Sequence, residues 1–167
     1  MKRAMTRTFI LLGVIALVAG VLFVDPVGPP KSPSSLRPDD AKLTARGQEI
    51  YVAHCAACHG ARLEGQPNWR QPDAAGRWPA PPHDASGHTW HHADELLVRL
   101  TKYGVAKAAG LKNHDSAMPA FEGVLTDAEI VAVLSWIKSQ WPAEIRAKHD
   151  QINRAATRST KQPAKAP

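Results

Sequence analysis

The apolar positions of this chain change their period several times, and each change marks a boundary. From Phe9 to Val24 (FILLGVIALVAGVLFV) they are continuous. Residues 25–40 (DPVGPPKSPSSLRPDD) then carry five prolines and almost nothing apolar, the composition of a stiff, extended spacer rather than part of a core. Beyond them Leu43, Gly47, Ile50 and Tyr51 recur at helical spacing behind Asp39 and Asp40, both good N-caps, so a first helix is predicted over 41–54. Residues 60–88 hold Pro67, Pro72, Pro79, Pro81 and Pro82 with Gly60, Gly65, Gly76 and Gly87, too many breakers for a long regular element. Ala93–Tyr103 (ADELLVRLTKY) is amphipathic, with Asp94 and Glu95 in its first turn, Lys102 in its last and Gly104 placed to stop it. Thr126-Asp127-Ala128-Glu129 reads as a capping box opening a third helix, whose Ile130, Val133, Leu134 and Ile137 share a face and which should end near Trp141. Pro142 can begin a further short helix through about Asn153, followed by a disordered polar tail. With no internal repeat and no strand pattern, the chain reads as all-α.

Its 167 residues suffice for one domain with a real core but not for two. The formal net charge of +6 would suggest nucleic acid if it were spread over the body, but it sits at the ends. Residues 1–24 carry Lys2, Arg3 and Arg7, residues 143–167 carry six basic and two acidic groups, and residues 41–142 balance ten against ten. No basic face for nucleic acid follows. The apolar run behind three positive charges predicts export, with the remaining chain on the outer side of an inner membrane. At about 24 Å as a helix it is short against a hydrocarbon core of roughly 30 Å, yet longer than most signal cores. An uncleaved transmembrane anchor over 1–24 is the expectation, because no Ala-x-Ala site follows; cleavage after Gly20, giving a soluble periplasmic protein, is the alternative.

The chemistry is concentrated in Cys55-Ala56-Ala57-Cys58-His59. Two thiols three residues apart share a helical face, so both sulfurs can reach the vinyl groups of one porphyrin, and His59 then falls beneath the iron. A thioredoxin-like pair or half of a zinc site would leave His59 without a necessary role, and no further cysteine exists to complete a zinc ribbon. A Cys2His2 zinc site with later histidines stays open, since the chain has eight. A long breaker-rich loop is unusual unless it wraps something, which a haem would supply.

Iron held by His59 alone would be five-coordinate and reactive. Met118, in Ser116-Ala117-Met118-Pro119-Ala120-Phe121, is the leading sixth ligand, because Pro119 restricts the conformation of this segment. His114 is the rival. A core methionine is the ordinary alternative for Met118.

These features together resemble the class I c-type cytochromes: a glycine and an aromatic in the first helix, Cys-x-x-Cys-His, then Met-Pro-x-Phe and Leu-Thr-Asp-x-Glu-Ile before the last helix, over residues 41–142. The resemblance implies the cytochrome c fold, three main helices around one covalent haem, with Gly47 letting the first helix approach the last beside Tyr51 and Trp136. It implies a proline carbonyl against the free N–H of His59, matched here to Pro67, with Pro72 close by. It implies propionate contacts from a tryptophan or arginine, for which Arg77 and Trp78 are chosen over Trp69 and Arg70. His83, His88, His91 and His92 depart from the simplest family pattern; they could bind copper or zinc, although a solvated helix start or a propionate contact explains them as well.

The function implied is a one-electron carrier rather than an enzyme, with His/Met ligation raising the potential, working between membrane-associated respiratory partners such as a terminal oxidase. The head is expected to be monomeric, tethered by residues 25–40, and free of nucleic acid. Two alternatives stand beside it: a haem enzyme or gas sensor with an open iron position, and a fixed haem subunit of a larger oxidoreductase.

Overall fold

The computed structural model describes residues 32–112 and 115–161. The apolar run Phe9–Val24, the rival ligand His114 and the last residues of the tail lie outside the described residues. Among those described, no helix is long and apolar enough to cross a membrane.

The described residues form six α-helices and one 3-10 turn: α1 (Ala41–His54), α2 (Ala56–His59), the turn Thr89–His91, α3 (Asp94–Tyr103), α4 (Val105–Ala109), α5 (Asp127–Ser139) and α6 (Ala143–Lys161). The only β-type pairing among the described residues is one isolated parallel bridge, Trp78 with Ser116. α1 starts where Asp40 accepts a hydrogen bond from the Leu43 N–H at 3.0 Å. α5 starts in a complete capping box, Thr126 accepting from the Glu129 N–H and the Glu129 side chain accepting from the Thr126 N–H.

The two helices cross at Gly47. A Cβ there would collide with the Ala132 carbonyl and lie 2.8 Å from Trp136 Cβ, so only glycine lets the backbones meet. One turn along, the rings of Tyr51 and Trp136 pack 4.6 Å apart. Ile50, Tyr51, Leu97, Phe121, Leu125, Ile130, Val133, Leu134, Ile137 and Trp141 form the core around this crossing.

α5 is buried on more than the predicted face: Val131, Ala132, Ser135 and Lys138 are buried too. Two segments cover its far side. The first overturns the spacer reading for residues 32–40: Leu36 is buried, its N–H donates to Asp94 Oδ2 at 2.9 Å, and the Arg37 N–H donates to Ser135 Oγ at 2.9 Å. One apolar residue and two backbone donors with acceptors on the body suffice to dock a proline-rich stretch. The second segment is α6, which runs eight residues beyond the predicted Asn153. Its inner face carries Ile145, His149 and Asn153; Asn153 donates to Asp94 Oδ1 and accepts from the Asp94 N–H, and Lys138 Nζ meets Asp150 at 2.6 Å. Once docked, the arginine- and alanine-containing segment after Asn153 continues as helix on its own propensity.

Candidate haem site

α1 delivers Cys55 and α2 carries Cys58 and His59 one turn on, with the His59 N–H donating to the Cys55 carbonyl at 2.9 Å. Cys58 is exposed and Cys55 half-buried. His59 is 5% exposed. Its Nδ1 lies 2.8 Å from the Pro81 carbonyl. A carbonyl can only accept, so the proton sits on Nδ1 and Nε2 is left as the lone-pair nitrogen, the form that ligates a metal. Burial lowers the His59 pKa, partly opposed by the bond to Pro81, and this keeps the ring neutral.

The acceptor is therefore Pro81, which corrects the assignment of Pro67. The loop makes an excursion whose ends are pinned together: the Gln66 N–H donates to Ala80 O and the Ala80 N–H to Gln66 Oε1, each at 2.8 Å. Pro67 stands exposed at the start of this excursion, while the chain returns at Pro81. Gly65 and Gly87 grip the returning strand from two sides. A Cβ on Gly65 would lie 2.6 Å from the Pro81 carbonyl carbon, and one on Gly87 would collide with the Pro82 carbonyl. Leu63, buried at φ +69°, turns its carbonyl to accept the His83 N–H at 2.8 Å. A left-handed leucine costs about 1–2 kcal/mol, which the surrounding contacts offset.

His83 leaves the histidine group and joins His59: the rings stack at 3.8 Å and 19°. His83 Nδ1 lies 2.6 Å from Thr89 Oγ1, and its carbonyl accepts from Trp141 Nε1 at 2.7 Å. Nothing in the sequence pattern pointed to this stacking, because it joins residues on opposite ends of the loop. His88, His91 and His92 stay together elsewhere. Among the described residues, no group of three or more His, Cys, Asp or Glu is placed to hold a metal ion.

Met118 is half-buried and packs against the core, its N–H donating to Ser116 Oγ at 3.2 Å. Ser116 bridges to Trp78, which places Trp78 next to the methionine segment. Arg77 closes a local turn with Asp73, whose carboxylate accepts the Arg77 N–H at 2.9 Å and meets its guanidinium at 3.2 Å. Arg70 lies over the ring of Trp69 at 4.2 Å.

The Cys55 thiol bears on the redox reading of the Cys-x-x-Cys. Burial, then the neighbouring Cys58, push its pKa up to about 11. Activated redox thiols sit where that pKa is lowered, so the surroundings of Cys55 favour an unactivated thiol over a thioredoxin-like pair. A protonated thiol, an exposed thiol and a buried imidazole with a fixed lone pair on Nε2 make a donor set that fits a covalently attached porphyrin.

A chain built this way is an all-α haem protein that holds its cofactor through thioethers. It belongs to the cytochrome c family, whose sequence pattern matches residues 44–141. It is also similar to the Cbb3-type cytochrome c oxidase subunit FixP of Bradyrhizobium diazoefficiens, 29% identical over 104 residues, which cover 59% of this chain and 31% of that protein. The chain thus spans about a third of the length of this curated relative. No solved structure matches it. Family membership brings covalent haem c and haem-based electron transfer, and Cys55 and Cys58 are the cysteines that fit its attachment.

Proposed function

We propose that this chain is a one-electron carrier with a single haem c, bound through Cys55 and Cys58, with His59 and Met118 as the two axial ligands. The observation that carries the reading is His59: buried, neutral, fixed by Pro81, with Nε2 left as the lone-pair nitrogen, next to Cys58 and one turn from Cys55. A bound haem c supplies the one-electron couple. The protein's part is to hold the imidazole in one tautomer, to strengthen it as a donor through the Pro81 carbonyl, and to offer a thioether from a segment set by Pro119. A haem held by both His59 and Met118 would leave a substrate no place on the iron unless Met118 were displaced, which favours carrying over catalysis. Trp78 and Arg77 serve the propionates, Trp78 supported by its bridge to the Met118 segment.

Residues 1–24 hold the protein at the periplasmic face of the inner membrane. Its electrons go to or come from a respiratory complex, and the similarity to an oxidase subunit favours an oxidase of the cbb3 type. The same similarity supports a second reading, a fixed subunit of such a complex. Co-purification with the oxidase at fixed stoichiometry selects the subunit; a free holoprotein selects the carrier.

The ligand set is tested by spectra of the mature holoprotein. Met118→Ala should keep covalent haem, lose the ferric methionine-to-iron charge-transfer band, and lower the potential. An unchanged spectrum in Met118→Ala removes methionine ligation and turns attention to His114. Rapid carbon monoxide binding by the reduced wild type removes the carrier reading altogether.

A further inference from the structure

His88 and His92 stand at the two ends of the 3-10 turn Thr89–His91, and that turn brings their Nε2 atoms to 3.0 Å. Neither residue contributes to the contacts of His59, so the haem site does not account for the pair. His88 is exposed and His92 half-buried, which leaves them within reach of a dissolved ion.

The turn that carries them is fixed from three directions. Thr89, buried, meets His83 Nδ1 through its hydroxyl at 2.6 Å. Trp90 Nε1 donates to the Ala85 carbonyl at 3.1 Å. The His92 carbonyl accepts from Nε2 of the fully buried His149 on α6 at 2.9 Å. The backbone from which the two imidazoles project is therefore held by the fold rather than free to move as a surface loop. His91 does not complete a triad, since its ring is stacked on Trp90 at 3.7 Å.

We infer that His88 and His92 form a two-imidazole site for a tetragonal divalent transition ion, Cu(II) foremost, with water in the remaining positions. Bonds of about 2.0–2.1 Å from two nitrogens this far apart meet at roughly 95°. That is the cis angle of a square-planar or tetragonal ion; a tetrahedral ion such as zinc would want the nitrogens nearer ~3.3 Å. The stability order of the divalent ions points the same way, since an imidazole site holds Cu(II) more tightly than Ni(II) or Zn(II). The competing account is a bare hydrogen bond, one Nε2–H donating to the other Nε2.

The test is titration of the full-length ferric holoprotein with Cu(II), Ni(II) and Zn(II) at pH 7 against a competing chelator, with electron paramagnetic resonance of the copper form. One equivalent of Cu(II) should bind, with hyperfine splitting from two imidazole nitrogens and with Cu(II) held most tightly. His88→Ala and His92→Ala should each weaken binding by more than about 100-fold, beyond the 10–100-fold that loss of a ligand's hydrogen-bond partner costs, with the haem bands unchanged. His54→Ala, an exposed histidine outside the pair, should bind as the wild type does. If His92→Ala fails to load haem, the exposed His88 decides alone. Equal affinity in wild type and His88→Ala would mean adventitious copper only, and absence of stoichiometric binding would leave the pair as a hydrogen bond; either result overturns the site.

Discussion

The crossing of α1 and α5 and the loop over residues 60–88 both depend on glycine admitting one backbone to another, yet they do different work. At the crossing, Gly47 brings together two regular surfaces, and the reward is burial of Tyr51, Ile130 and Val133 around them. In the loop, Gly65 and Gly87 bring an irregular strand against itself, and the reward is a single carbonyl placed on His59. The first contact sets stability; the second sets ligand chemistry. The two depend on each other, because a carbonyl can hold the His59 imidazole in one tautomer only on a frame that stays in place.

Substitutions can separate the two roles. Gly47→Val should be the most damaging, destabilising the holoprotein by about 3 kcal/mol in urea, since the clash is with backbone and neither helix can yield without opening the core. A variant with wild-type stability would show that the helices cross elsewhere. Gly87→Ala should cost less, about 1–2 kcal/mol, but should move the reduction potential upward, because displacing Pro82 loosens the Pro81 bond and makes His59 a weaker donor to ferric iron. Should the potential stay fixed while stability falls, the loop would be structural like the crossing, and the contrast between the two regions would fail.

Thr126→Ala tests the frame at its edge. Loss of the α5 cap should lower stability by about 1 kcal/mol with no change in potential. The smallest effect concerns the Glu129 carboxylate, which accepts from the Thr126 N–H, then from Arg46 of α1, then from the Thr126 hydroxyl, and is held down to about 2 from its ordinary 4.5. A depressed carboxylate stabilises the fold above its unfolded pKa and ceases to do so as pH falls through the folded one. Unfolding midpoints should therefore decline between pH 4.5 and 2, and less so in Glu129→Gln. Identical acid limbs would remove Glu129 from the account.

The helices were legible because their signals are local. Asp40, the Thr126 box and Gly104 act within one turn, and the observed starts and stops of α1 and α3 fall within a residue of their expected places. α5 stops two residues short of the predicted Trp141, and α6 overruns Asn153 by two turns. Packing through Lys138, His149 and Asn153, contacts that no periodicity contains, docks α6 against the body, and its propensity carries it on from there. Leu36 was passed over for the same reason: one leucine among prolines looks solvated until Ser135 and Asp94 are found opposite its backbone.

The sequence by itself determined the attachment motif and the all-α class, because Cys-x-x-Cys-His and helix caps are interactions between residues within a turn of each other. It also contained the Pro81–Pro82 pair flanked by glycines, but distance along the chain favoured Pro67, and the pinned excursion from Gln66 to Ala80 reversed that choice. The tertiary structure alone decided which carbonyl fixes His59, that His83 stacks on it while His88 meets His92, and that the Cys55 thiol stays protonated. Each of these depends on where a loop returns and how much water it excludes, and loop closure is a property of the whole chain rather than of any stretch within it.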